Sequence, residues 1–67
     1  MSVAKVIEIS SQSEKNFENA ILQGIDRVNK TIQHVQGVWI KEQQVIVKDG
    51  KVLGWRVDMK VTFILNE

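Results

Sequence analysis

The segment near the C-terminal end alternates between apolar and polar side chains, and this pattern constrains the fold more than any other. Apolar residues occupy every second position from Trp55 to Leu65. The positions between them are mostly polar and include Arg56, Asp58, Lys60 and Thr62. Successive side chains of a strand point to opposite faces. The segment is therefore predicted to be a strand with one face on a hydrophobic core and the other mostly polar.

A turn and a second strand precede this segment. The turn is Lys48-Asp49-Gly50-Lys51, and Asp-Gly between β-branched runs predicts a hairpin with a type I′ turn, which needs positive φ twice. The strand before the turn is less regular, because its apolar positions change parity between Ile40 and Val45. This phase slip predicts a β-bulge or a sharp bend near Gln43-Gln44.

An amphipathic helix is predicted in the first half of the chain, from Glu14 to about Gln33. Its length would be about 30 Å at about 1.5 Å per residue. Either Ser11 or Ser13 could be the N-cap. Gly24 lies within the apolar stripe, where it would let the helix pack closely against a sheet. The stripe follows a 3.6-residue period and consists of Phe17, Ala20, Ile21, Gly24, Ile25, Val28 and Ile32.

A first strand, Lys5–Ile9, completes a β-α-β-β order. A strand–helix–strand crossover places the first two strands parallel in direction, and the hairpin makes the third antiparallel to the second. The third strand can then lie between the other two. We therefore predict an α+β fold in which a three-stranded antiparallel sheet of order 1-3-2 packs on one long helix, as a single domain over residues 1–67.

Size and composition favour self-assembly. A chain of 67 residues buries only about 60% of its unfolded surface, and such chains usually need disulfides, metals or partner subunits. The sequence contains no cysteine and one histidine, His34, so partner subunits are the remaining means. One helix also covers only one face of the predicted sheet. We therefore expect a homo-oligomer.

The charge pattern argues against nucleic-acid and membrane binding. Nine Lys and Arg residues balance eight Asp and Glu residues, and the basic residues are scattered rather than clustered. The sequence has no apolar run of the roughly 18 residues that cross a bilayer. The segment Met1-Ser2-Val3-Ala4-Lys5 lacks the apolar core of a signal peptide. We expect a cytoplasmic protein.

No catalytic constellation is visible, so an enzyme is not expected. The chain has neither cysteine nor tyrosine, and it has no glycine-rich phosphate loop. His34 is expected at the polar end of the helix, in a structural role. Trp55 is in phase with the core face of the third strand. Trp39 instead shares its parity with Gly37, Lys41 and Gln43, which predicts either a subunit contact or a platform for a flat ligand.

A series of short segments, in their order and spacing, matches one known family over essentially the full length and without a gap. The segments are Lys5-Val6-Ile7-Glu8, Ala20, Ile25-Asp26-Arg27, Thr31, Val38-Trp39-Ile40-Lys41-Glu42-Gln43 and Arg56-Val57-Asp58-Met59-Lys60-Val61-Thr62-Phe63. Through them the chain resembles the dodecin family. The resemblance implies a β-α-β-β fold and assembly into hollow dodecamers. It also implies flavin binding without turnover, with riboflavin or FMN held in pairs between tryptophans near threefold axes.

The sequence departs from the family at the flavin site. Gly37 stands where the resemblance implies the stacking tryptophan, and Trp39 lies two residues further, about 7 Å along the strand. Arg56 stands where a glutamine commonly bonds the flavin ring edge; arginine can donate but not accept. The predicted flavin-binding residues are Trp39, Arg56, Gly37 and Gln43.

The alternative is an assembly with this fold that has lost flavin binding. It would be a structural shell, or it would bind ions or another small molecule at subunit interfaces. Glu42 and Asp58, together with Glu8, could supply oxygen ligands to Mg²⁺ or Ca²⁺. Pairing with nearby lysines, namely Lys41, Lys60 and Lys5, is the competing role for these carboxylates.

Overall fold

The computed structural model describes residues 3–65 and confirms the predicted α+β fold. The elements are β1 (Ala4–Ser13), α1 (Phe17–Asn29), β2 (Val35–Lys48) and β3 (Lys51–Ile64). The strands form one sheet in the order β1-β3-β2, and β3 is antiparallel to both neighbours. Within residues 3–65, no helix is long and apolar enough to span a bilayer.

The alternation of β3 produces two distinct faces, as predicted. The inner face, on which α1 packs, holds the fully buried side chains Val57, Met59 and Val61. Ala20 of α1 is also fully buried in this cluster. Trp55 continues the inner face and is half-buried. The core is therefore a single layer between one helix and one side of the sheet.

The helix begins at Phe17, three residues later than predicted, because β1 continues to Ser13. Ser11 and Ser13 lie in the strand, so neither is the N-cap. The N-cap is Asn16, whose side-chain Oδ1 accepts a hydrogen bond from the backbone N–H of Asn19 at 2.7 Å. Ser13 instead donates from Oγ to Asn19 Oδ1 at 2.6 Å. The predicted caps were wrong because pairing with β3 extends the strand through both serines.

The helix ends at Asn29 rather than near Gln33, so its 13 residues span about 20 Å. Its last turn tightens, since the backbone N–H groups of Thr31 and Ile32 both donate to Val28 O. His34 therefore lies in the link to β2 and not at the helix end, and that prediction was wrong. Its φ is 64°, and its carbonyl accepts from the backbone N–H of Ile64 at 3.1 Å.

Gly24 allows the close helix–sheet packing that the sequence predicted. A Cβ at this position would lie 2.5 Å from Met59 Cε and 3.2 Å from Ser11 Cβ. A side chain here would therefore require the end of Met59 and Ser11 to shift, or α1 to move away from the sheet. Gly24 is itself buried and lies near the middle of α1, so the helix packs closely on the sheet there.

The hairpin turn has the predicted geometry, with φ of 53° at Asp49 and 74° at Gly50, the two positive values of a type I′ turn. The bulge in β2 lies at Lys41, because Ile40 pairs with Met59 while Glu42 pairs with Asp58. It therefore precedes the predicted position, Gln43-Gln44. Further register shifts lie between Val35 and Gly37 and between Ile46 and Val47.

Candidate functional site

The outer face of the sheet, opposite α1, is not covered by any element within residues 3–65. The strand register arranges its side chains in rows that run from β1 through β3 to β2. Rows are about 7 Å apart, because two residues of a strand rise about 6.6 Å. The rows are Val6–Thr62–Gly37, Glu8–Lys60–Trp39, Ser10–Asp58–Glu42 and Gln12–Arg56–Gln44.

Trp39 is the most prominent side chain of this face. Its side chain is on β2 directly opposite Lys60, and the residue is 77% exposed. It borders an open cavity of about 560 Å³, which is within the usual range for small-molecule sites. The cavity is lined by Val6, Trp39, Ile40, Lys41, Lys60 and Thr62.

Gly37 lies one row from Trp39, opposite Thr62. A Cβ built at this position would meet no other atom within 4 Å. The missing side chain therefore leaves free space beside the indole rather than satisfying a packing constraint. Gly37 and Trp39 are brought together as neighbouring positions of one surface.

Arg56 and Gln43 are not brought to this cavity. Arg56 shares the outer face but lies four residues from Lys60 along β3, about 13 Å away. Its Nη2 donates to Gln12 Oε1 at 3.0 Å. Gln43 pairs with Val57 and so belongs to the inner-face register, opposite to that of Trp39. The prediction that Trp39 and Gln43 share one face of the sheet was wrong, because the bulge at Lys41 inverts the parity between them.

Two lysines carry the charge around the cavity. Lys41 Nζ lies 3.4 Å from both carboxylate oxygens of Glu8, as the pairing interpretation of this carboxylate expected. Lys60 is half-buried between Glu8 and Trp39 in the same row. Among residues 3–65 it forms no ion pair within 4 Å.

Glu42 and Asp58 lie directly opposite each other on the outer face, one row beyond Trp39. Two like charges in this arrangement repel each other, which a cation between them would relieve. Within residues 3–65, however, no group of three or more potential metal-ligating side chains occurs. A hard cation that takes six or more oxygen ligands would need further ligands from water or a second chain.

The sequence pattern did not predict that Val6, Lys60 and Thr62 line the site. The alternation of β3 does place Lys60 and Thr62 on the outer face. What it cannot give is the register with β1 and β2, which brings Val6 and Trp39 to either side of them. The missing signal was thus cross-strand pairing, which depends on both edge strands at once.

The family model for dodecins matches residues 3–66. Among solved structures, a point mutant of the Thermus thermophilus dodecin superposes with a TM-score of 0.94 at 30% identity, covering 100% of both chains. Dodecin from Streptomyces davaonensis gives 0.93 at 30% identity, covering 98% of this chain and 97% of that one. No curated protein matches the sequence.

A calcium-chelating relative is also similar. The calcium dodecin of Mycobacterium tuberculosis, which has a calcium-binding site, superposes with a TM-score of 0.84 at 27% identity. The match covers 97% of this chain and 93% of the other. The dodecins that this chain resembles thus include one that chelates calcium.

Proposed function

Since the chain belongs to the dodecin family, we propose that it self-assembles and sequesters a flavin, riboflavin or FMN, without catalysing its turnover. The observation that carries this proposal is the cavity beside Trp39 on the uncovered sheet face. An indole that is 77% exposed offers a flat apolar surface, and stacking of an aromatic ring on such a surface contributes about 1–3 kcal/mol by analogy with nucleic-acid bases.

The shape of the site supports a large flat ligand. The free space over Gly37 extends the surface of Trp39 along β2 by about 7 Å. An isoalloxazine ring could therefore lie flat on the indole, with open space beside it along β2. A ligand held in this way has one ring face covered, which suits storage better than reaction with a second substrate.

Self-assembly is supported by the apolar surface that one chain leaves exposed. The molecule is elongated, with extents of 51 × 19 × 13 Å, and the hairpin carries several exposed apolar residues. These are Val45, Val47, Val52 and Leu53, all more than 40% exposed. Both β1 and β2 are also edge strands of the sheet. We propose that copies of the chain, as a dodecamer, bury these surfaces and bring several Trp39 cavities together.

Fluorescence titration and native mass spectrometry test the proposal together. Riboflavin and FMN should each be quenched by the protein, and Trp39→Leu should abolish quenching while it keeps an apolar side chain. Leu22→Ala, at a position 57% exposed on α1, is the control and should bind as the unmodified chain does. Unquenched flavin at micromolar protein would contradict flavin binding, and a monomeric mass would contradict assembly.

A second candidate function is favoured by the opposed carboxylates of Glu42 and Asp58 and by the calcium-chelating relative. In this alternative the assembly binds Ca²⁺ or Mg²⁺, or another small molecule, at subunit interfaces and no flavin. Calorimetric titration with Ca²⁺ tests it: Glu42→Gln should remove binding, whereas Glu18→Gln on the helix should not. Recovery of flavin-loaded protein from cells would count against this alternative.

A further inference from the structure

The charges beside Trp39 are unevenly balanced. Glu8, Lys60 and Trp39 form one row across the sheet, with Lys60 directly opposite Trp39. Directly opposite side chains have Cβ atoms about 4.5–5.5 Å apart, so the Lys60 side chain starts beside the indole. A ligand stacked on Trp39 would therefore lie within reach of this ammonium group.

Glu8 does not neutralise Lys60, because Lys41 already neutralises Glu8. The Lys41 ammonium lies 3.4 Å from both Glu8 carboxylate oxygens. Residues 3–65 offer Lys60 no carboxylate within 4 Å. The row and its bulge residue thus carry two positive charges and one negative charge, with the excess at Lys60.

The remaining carboxylates of the outer face lie outside the cavity. Asp58 and Glu42 are in the next row, on the side towards Arg56, and neither lines the space beside Trp39. The charged groups that do line it are the ammonium groups of Lys41 and Lys60. Thr62, also in the lining, adds a hydroxyl that can donate a hydrogen bond. The cavity thus combines the aromatic surface of Trp39 with two ammonium groups, those of Lys41 and Lys60.

We propose that Lys60 is a specificity-determining residue that makes this site prefer a phosphorylated flavin, FMN, over the uncharged riboflavin. This inference rests on the proposed function, since it concerns the same cavity. FMN and riboflavin share the ring and the ribityl chain and differ in a phosphate that carries about −1.5 to −2 charges at neutral pH. Lys60 supplies the matching charge, and Lys41 becomes a second donor when it leaves Glu8.

The test compares both flavins on the assembled protein and two charge variants. At low ionic strength the unmodified protein should bind FMN about tenfold more tightly than riboflavin, the magnitude of a charge-assisted hydrogen bond of about 1.4 kcal/mol. Lys60→Met should reduce this ratio to near one, because it weakens FMN binding more than riboflavin binding. Lys51→Met, the same change about 30 Å away at the start of β3, should leave the ratio unaltered. At about 1 M salt, where the Debye length is about 3 Å, the ratio should also shrink.

The outcomes separate this inference from the proposed function. Equal affinity for FMN and riboflavin, or a preference that survives Lys60→Met, would overturn the role of Lys60 while flavin binding stands. A protein that binds neither flavin would overturn both. Loss of riboflavin binding together with FMN binding in Lys60→Met would assign Lys60 to the structure of the site and overturn its role in specificity.

Discussion

The Lys41 ammonium group contacts both carboxylate oxygens of Glu8 at 3.4 Å, although the two residues lie on opposite edge strands with β3 between them. The contact is possible because Lys41 is the extra residue of a bulge and has no partner on β3. Its side chain reaches across Lys60 to the far strand. The bulge thus determines that Glu8 pairs with Lys41 beside Trp39.

The ion pair itself should contribute little to stability. Its side chains are 46% and 56% exposed, and exposed pairs are screened by solvent. A double-mutant cycle with Glu8→Gln and Lys41→Met should give a coupling free energy below about 1 kcal/mol. Urea unfolding at one fixed subunit concentration measures it. A coupling of about 2 kcal/mol or more would mean that assembly buries the pair.

The same contact should instead affect ligand binding. Glu8→Gln removes the negative charge and leaves both ammonium groups of Lys41 and Lys60 unpaired beside Trp39. FMN affinity should rise about threefold to tenfold, in proportion to the one charge removed, while riboflavin affinity stays constant. Glu18→Gln, on the exposed surface of α1, is the matched control. An equal change for both flavins would show that the variant acts on site shape rather than charge.

The start of the helix gives a second test of stability. Asn16→Ala removes the acceptor for the Asn19 backbone N–H and should lower the free energy of unfolding by about 1 kcal/mol. Asn16→Asp keeps a capping oxygen and should restore most of it. Ser11→Ala, at the cap first expected from the sequence, should change stability by less than about 0.5 kcal/mol. A larger loss for Ser11→Ala than for Asn16→Ala would contradict the observed helix start.

The helix boundary and the bulge show what the sequence could and could not predict. Element order, strand order and the type I′ turn follow from local patterns: the 3.6 period, the two-residue alternation and Asp49-Gly50. The end of β1 does not, because Ser11 and Ser13 are equally good caps until pairing with β3 holds them in a strand. The surroundings of the candidate site depend on strand pairing in the same way. Trp39 was identified, but its neighbours depend on the position of the bulge.

A methyl group added at Gly24 should destabilise the protein. Gly24→Ala improves helix propensity by about 1 kcal/mol but places a Cβ against Met59 Cε, which is fully buried and cannot swing into solvent. Overpacking costs about 1–3 kcal/mol, so we expect net destabilisation of about 1 kcal/mol. Combined with Met59→Ala, the methyl group would enter the cavity, and the double variant should be more stable than additivity predicts. If the effects of the two substitutions on stability were strictly additive, the added methyl group would not be clashing with Met59.

Gly37 stands where the family resemblance implies a flavin-stacking tryptophan. Substitutions at this position test directly how that difference affects flavin binding. A Cβ at this position meets nothing within 4 Å, so Gly37→Trp should fold and assemble as the unmodified chain does. The new indole would stand one row from Trp39 on the same face and add a second aromatic surface. One further stacking contact contributes about 1–3 kcal/mol, so riboflavin should bind at least about fivefold more tightly.

Gly37→Ala separates the aromatic surface from the loss of glycine. It adds a Cβ without a ring, and it should leave both thermal stability and flavin affinity close to those of the unmodified protein. Fluorescence titration with riboflavin, which lacks the phosphate that Lys60 would bind, isolates stacking from charge. If Gly37→Trp weakens binding while the assembly stays intact, the open space over Gly37 is itself occupied by the ligand. The ring then lies over the glycine beside Trp39, in the place that a second indole would fill.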